Sequence, residues 1–351
     1  MKLVVDNKIP YISPGLDALG RELCRRGTQL DIVSLDGAEI DRRAVADADI
    51  LIVRTRTHCD RALLDGSRVR LVVTATIGFD HLDTTYLDTA GIAWTNCPGC
   101  NAGSVAQYVS SCLLLLEQER GLRLSGATLG IIGVGHVGSA VERCARMLGM
   151  GCILLNDPPL EADGQRPGAW SCLPDLLAMS DVITLHTPLT REGQHATWHL
   201  LDAEAFRRVK PGCVIINAAR GGVADEEALE EAMDTGLVSD AIIDTWEDEP
   251  RLRLSLLRRA YIGTPHIAGY SADGKANATR MSLEAVARFL DLRMSFEVTP
   301  PPLPRRTWEG ELWRTLYDPR EDSLRLKADP SGFEWQRGHY PLRREKAREE
   351  K

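Results

Sequence analysis

The sequence predicts an α/β protein: two Rossmann-like domains, each a doubly wound parallel sheet, followed by a short C-terminal assembly segment. Three observations carry this expectation. Short runs of Val, Ile and Leu alternate with helical patterns along almost the whole chain, as βα units feeding a parallel sheet do. A glycine-rich turn, "GIIGVGHVG" (130–138), joins one such run to a helix. The length of 351 residues exceeds one ordinary core and suits two.

The first unit spans residues 1–95. "KLVVD" leads into "SPGLDALGRELCRRG", where Ser13 is placed to cap, Pro14 sits in the first turn and Gly27 stops the helix. "LDIVSL", "DILIVRT", "RLVVTAT" and "GIAWT" supply the remaining strands. The second unit, 96–269, opens with the stretch "SVAQYVSSCLLLLEQE", read as an amphipathic helix. It continues through "ATLGIIG", "CILLND", "DVITLH", "CVIIN" and "DAIIDTW" to "YIGTPHIAG". Residues 270–290 are expected to return and complete the first domain. After 290 the texture changes: seven of the 18 prolines and three of the seven tryptophans fall in 291–351, and "TPPPLP" (299–304) breaks any helix. The terminal "PLRREKAREEK" reads as a solvated charge run. Trp308, Trp313, Phe333 and Trp335 suit an interface, so the segment is expected to pair two subunits.

With 42 basic and 50 acidic side chains the net charge is −8, which offers no general attraction to nucleic acid or anionic lipid. Any anionic substrate therefore needs local cations. No signal peptide and no membrane-spanning run is visible, and a cytoplasmic location is expected. The nine cysteines lie mostly in apolar runs, so a disulfide framework is not expected, and nothing completes a four-ligand zinc site. Cys97 and Cys100, in "CPGCN", have redox spacing ahead of a helix; a structural role is favoured, with redox and metal roles as alternatives.

Gly133, Gly135 and Gly138 form G-x-G-x-x-G around His136 and Val137, after a strand and opening a helix. The first glycine permits the tight turn, the second lets a pyrophosphate approach, and the third lets helix and strand pack. Asp157, at the end of the next strand and nineteen residues beyond Gly138, stands where a carboxylate accepts hydrogen bonds from the adenosine ribose. That charge favours NAD over NADP. Four further strand ends are polar: "HTP" (186–188), "NAARGG" (217–222), "DTWEDEP" (244–250) and "TPHIAGY" (264–270). Arg220 suits a bidentate grip on a carboxylate, His266 proton exchange with a hydroxyl, and Glu249 orientation of that histidine. Together they make a kit for hydride transfer at a 2-hydroxy acid. His186 is read as a packing residue.

"GIIGVGHVG", "INAARGGVADEEAL", "DTWEDEP" and "PHIAGY" resemble the D-isomer-specific 2-hydroxyacid dehydrogenases over about residues 1–290. "PGCNAGSVAQYV", "NDPP", "HIAGYSADGKANAT" and "LYDPREDSLR" are similar to a branch of that family acting on a phosphorylated 2-hydroxy acid. The resemblance implies a catalytic set of Arg220, Glu249 and His266. It assigns Asp157, Thr187, Ala218, Ala219, Arg220, Asp244 and Gly269 to NAD, and Thr55, Thr76 and Tyr270 to substrate. It also implies a homodimer, places "PGCNA" at the crossover between domains, and marks Gln107 as standing where the family has glutamate. The C-terminal segment reads as shorter than the family's. Arg54, Arg56, His58 and Lys275 are the candidate cations for the phosphate. A phosphoglycerate dehydrogenase, or a catalytically idle NAD-sensing corepressor, are the alternative readings.

Overall fold

The computed structural model describes all residues except 165, 167, 303–306 and 346–351. Parts of "TPPPLP" and of the terminal charge run therefore lie outside the described residues. The chain forms two compact units, 1–101 with 271–302, and 102–270 with the C-terminal stretch.

In the first unit, β1 (Lys2–Asp6), β2 (Asp31–Leu35), β3 (Ile50–Val53), β4 (Leu71–Thr74) and β5 (Ala93–Thr95) form one parallel sheet in the order β2-β1-β3-β4-β5. β3 and β4 are buried on both faces, as their unbroken apolar runs require. The Ser13–Arg25 helix begins one residue earlier than expected: Ile12, already helical, is the N-cap, and Ser13 lies inside the first turn instead of capping it. Its far end behaves as expected. Gly27 takes φ +78°, its N–H bonds Cys24 O, and Thr28 N–H bonds Leu23 O, closing a left-handed cap.

The Ala272–Phe289 helix belongs to this unit, with Leu283 and Val286 packed among Leu3, Ile50 and Val73. Two boundaries differ from expectation. Residues 96–101 stay with the first unit, because Cys97 N–H bonds Thr76 O (2.9 Å) and Asn96 Nδ2 bonds Ile77 O (2.7 Å). Residues 291–302 also belong here and not to the C-terminal segment, since Leu292 and Phe296 are buried in the same cluster as Leu3 and Val5.

In the second unit, β6 (Thr128–Ile132), β7 (Cys152–Asn156), β8 (Val182–Leu185), β9 (Cys213–Asn217), β10 (Val238–Ile243) and β11 (Ile262–Gly263) lie in the order β11-β10-β9-β8-β6-β7, all parallel. The chain reverses direction across the sheet between β6 and β8, which opens a crevice at their carboxyl ends. The Ala102–Arg120 helix is not amphipathic: every residue from Ser104 to Leu116 is buried. The C-terminal segment covers its outer side, with Leu312 and Tyr317 in the helix's own core cluster and Ser111 Oγ bonded to Thr315 Oγ1 (2.9 Å) and Tyr317 O (3.0 Å). Farther along, Leu326 and Phe333 are fully buried in the cluster of Trp246 and Leu256. Trp313 and Trp335 stay 60% and 66% exposed, so the segment packs on its own domain and still presents aromatic surface.

Candidate active site

Each strand of the second sheet ends at a turn that presents a polar or glycine residue to the carboxyl edge, and these turns build the site. After β6, Gly133 takes φ +84°, and a Cβ there would lie 2.7 Å from His186 C and 2.8 Å from Thr187 N. Gly135 is the N-cap of the His136–Met147 helix, makes no side-chain cap, and faces open space. The first N–H groups of that helix, at His136, Val137 and Gly138, are thus available to an anion. A Cβ on Gly138 would sit 2.0 Å from Gly133 O, which locks helix against turn. The three glycines therefore divide into tight turn, open approach and close packing.

Asp157, after β7, uses Oδ2 to accept from Val134 N (2.8 Å) and Oδ1 to accept from Leu160 N (3.0 Å). It braces the glycine turn and caps the Pro158–Asp163 helix, duties the sequence did not disclose. After β8, Thr187 Oγ1 is buried and has no hydrogen-bond partner among the described residues, as a ligand contact would require. His186 beside it bonds Thr184 Oγ1 through Nε2 (2.9 Å), and burial pushes its pKa down to about 3, so it is a neutral packing group. The open helix start, the cradle at Gly135 and the orphaned Thr187 hydroxyl fit a bound dinucleotide.

After β9, Ala218, Ala219 and Arg220 form a turn in which Ala219 N–H bonds Asn217 Oδ1 (3.2 Å) and Arg220 Nη1 bonds Ala219 O (2.8 Å). A Cβ on Gly221 would collide with Trp246 O, so the β9 and β10 turns touch. Asp244, after β10, is 1% exposed; it accepts from Thr264 Oγ1 (2.6 Å), Ile267 N (2.8 Å) and Ala268 N (2.9 Å). Burial raises its pKa, against the opposing effects of His266 and these donors. Its carboxylate is thus engaged by the loop that carries Gly269 and Tyr270.

His266 follows β11 at φ +54°. Its Nδ1 meets both oxygens of Glu249, at 2.8 and 3.1 Å, while Glu249 Oε1 also accepts from Trp246 N (2.9 Å). Burial would raise the Glu249 pKa, but the hydrogen bond and charge of His266 outweigh it and hold the carboxyl below its usual range. An ionised partner on Nδ1 fixes the proton there and leaves the Nε2 lone pair free to take a proton. Arg337 of the C-terminal segment, which carries no local sequence signal, lies 3.9 Å from Glu249 Oε2, and its guanidinium stands over the Tyr270 ring at 6.0 Å.

The expected substrate residues divide between the units. Thr55 is exposed just past β3, and Thr76, past β4, bonds Gly78 O (2.8 Å) and Thr74 Oγ1 (2.7 Å). Arg56 and His58 are exposed on the same turn, and Arg54 is tied to Lys8 O (3.0 Å). Among the described residues no cluster of metal ligands occurs. Cys97 and Cys100 are both buried, and neither forms a disulfide among the described residues. Burial raises the Cys97 pKa, and its Sγ contacts Ala278 O (3.3 Å) and Ser282 Oγ (3.4 Å), the surroundings of a packing residue.

Residues 112–268 match the NAD binding domain of the D-isomer specific 2-hydroxyacid dehydrogenases. The chain is 49% identical to an erythronate-4-phosphate dehydrogenase of Bacteroides fragilis, over 98% of this chain and 97% of that one. It is 41% identical to one of Edwardsiella ictaluri, over 98% and 93%. Similar solved structures include a D-lactate dehydrogenase from Aquifex aeolicus complexed with NAD and lactic acid (TM-score 0.62, 26% identity, 86% and 100% covered). Another is an NAD-bound 3-phosphoglycerate dehydrogenase of Entamoeba histolytica (TM-score 0.66, 26% identity, 83% and 95% covered).

Proposed function

For this chain, which belongs to the erythronate-4-phosphate dehydrogenases within the D-isomer-specific 2-hydroxyacid dehydrogenases, we propose the following assignment of residues to the reaction. The reaction is NAD-dependent oxidation of 4-phospho-D-erythronate at C2 to 2-oxo-3-hydroxy-4-phosphobutanoate, an early step toward pyridoxal phosphate. The observation that carries the residue assignment is the His266 imidazole, held at Nδ1 by an ionised Glu249 at the edge of a dinucleotide sheet.

His266 Nε2 removes the C2 hydroxyl proton while hydride leaves the same carbon. NAD, when bound, supplies the hydride acceptor. Glu249 keeps His266 in the required tautomer and stabilises the imidazolium. Arg220 holds the substrate carboxylate and the carbonyl oxygen that forms. The N–H groups of His136, Val137 and Gly138, with Gly135, take the pyrophosphate; Asp157 takes the adenosine ribose; Gly133, Thr187, Ala218, Ala219 and Gly269 line the rest of the cofactor site. Asp244 serves the same site by holding the 267–268 amides. Thr55, Thr76 and Tyr270 contact the substrate, whose phosphate draws on cations such as Arg54 and Arg56. Cys97 and Cys100 take no chemical part.

We also propose a homodimer formed through the C-terminal segment, on which Trp313, Leu324 and Trp335 are all at least 60% exposed. Light scattering on the full chain checks it, and a monomer refutes it. Among the described residues no helix is long and apolar enough to cross a membrane, and a cytoplasmic location is proposed.

NAD reduction with 4-phospho-D-erythronate beside 3-phosphoglycerate tests the activity, and His266→Asn tests the base. That variant should lose about 10² to 10⁴ in kcat while binding NADH. Preference for 3-phosphoglycerate would make the protein a phosphoglycerate dehydrogenase. NADH binding without turnover of either acid would favour the sensor, and near-normal turnover of His266→Asn would remove the base.

A further inference from the structure

Arg343 lies close to the end of the described chain, yet it is only 9% exposed. Its Nη1 donates to the carbonyls of Ile267 (3.0 Å) and Tyr270 (2.9 Å) and to Tyr340 Oη (3.2 Å). Its Nη2 donates to the carbonyls of Ala268 (2.6 Å) and Ser104 (3.2 Å) and to Ser104 Oγ (3.1 Å). Nε donates to Gln107 Oε1 (2.8 Å), and the Tyr317 ring covers the guanidinium at 4.1 Å. Five N–H groups thus meet seven acceptors, three of which are carbonyls from the four residues that follow His266.

The other side of the same peptides belongs to Asp244. Its carboxylate accepts from Ile267 N and Ala268 N, and its carbonyl accepts from His266 N (2.8 Å). A buried anion therefore holds the N–H groups of this loop and a buried cation holds its C=O groups. Charge-assisted bonds of both signs are stronger than neutral ones and match the direction of the peptide dipoles. The loop needs such restraint, because His266 stands in the left-handed region, which a non-glycine residue keeps only where its surroundings over-determine it. Gln107 fits the same device. While Oε1 accepts from Arg343, its amide nitrogen donates to Thr315 O (2.5 Å) and Arg344 O (2.7 Å), two bonds that a glutamate could not make.

We propose that Arg343 is a positioning residue for the dehydrogenase reaction: it sets the 267–270 backbone and, through it, the place of the His266 imidazole. The C-terminal segment is then part of the catalytic machinery as well as an assembly element. This rests on the function assigned above, and its test is built to fail separately from that assignment.

Full-length Arg343→Met and Arg343→Lys are compared with the unmodified enzyme. Amide exchange at 266–270 is followed by mass spectrometry, and kcat is expressed per NADH-binding site. Exchange at 266–270 should rise at least about tenfold in Arg343→Met while β6 to β9 stay unchanged, a readout that requires no turnover. Its kcat per site should fall about 100-fold, the cost of displacing a catalytic group by roughly 1 Å. Arg343→Lys keeps the charge but reaches fewer carbonyls and should recover part of both. A simple loss of stability would lower the number of sites and leave kcat per site intact. Unchanged exchange at 266–270, or kcat per site within about twofold of the unmodified enzyme, overturns the proposal. So does failure of both variants to fold, which would make Arg343 a folding element. If the unmodified enzyme turns over no substrate, the assigned function fails, and the exchange result still decides the role of Arg343.

Discussion

Gly135 and Gly138 stand three residues apart in one turn of helix, yet the structure predicts opposite consequences for adding a single methyl to each. At Gly138 the added Cβ would lie 2.0 Å from Gly133 O. Restoring an ordinary contact of 3.4 Å requires the helix start to retreat from the β6 turn by about 1.4 Å. Overpacking of this kind costs roughly 1–3 kcal/mol, and the retreat also moves the helix-start N–H groups proposed to bind the pyrophosphate. Gly138→Ala should therefore lower the thermal midpoint by several degrees and weaken NADH together. At Gly135 no atom lies within 4 Å of the added Cβ, so folding should be unaffected. The methyl instead enters the open space proposed for the pyrophosphate, and the predicted result is a normal thermal midpoint with NADH affinity reduced by at least about tenfold, or 1.4 kcal/mol. Thermal unfolding and NADH fluorescence titration on the two variants check this. Normal NADH binding by Gly135→Ala would refute the placement of the dinucleotide over this turn, and an unperturbed Gly138→Ala would refute the packing argument.

Other outcomes follow from single groups. Asp157→Ala should narrow the preference for NAD over NADP. Because Asp157 also caps a helix, it should cost about 1 kcal/mol of stability as well, seen in thermal melts and in kcat/KM for the two cofactors. Glu226, which accepts from Glu247 N (2.8 Å), has its pKa raised by burial to about 7. The folded chain therefore binds a proton there that the unfolded chain releases near pH 4.5. Its stabilising effect is present below that pH and fades as pH rises through about 7, by an amount on the order of 3 kcal/mol. Glu226→Gln should flatten this decline between pH 5 and 8, and thermal midpoints that still fall equally with pH would contradict it. Cys97→Ser should leave activity and its response to oxidant unchanged, because the thiol is buried and its pKa raised; loss of oxidant sensitivity in that variant would restore a redox role.

The sequence alone located the glycine turn and the residues proposed here for catalysis, because the places of both are local consequences of strand-turn-helix punctuation. In a parallel sheet, the residue that follows a strand is delivered to the carboxyl edge whatever the rest of the chain does. Gly133, Asp157, Arg220 and His266 could thus be placed by counting from the ends of apolar runs, and Glu249 by its position just beyond β10. The tertiary structure alone decided how those residues are held. Gln107 and Arg343 are 236 positions apart, and Ser104 and Arg343 are 239 apart. Burial of the whole 104–116 face depends on Leu312 and Tyr317 arriving from the far end of the chain. The assignment of Leu292 and Phe296 to the first unit depends on strands near the N-terminus. Periodicity records which face of an element is apolar but not which distant segment covers it. A tail rich in arginine reads as solvated until the fold brings one guanidinium against four backbone carbonyls and two tyrosine rings, where its hydrogen bonds replace those of water.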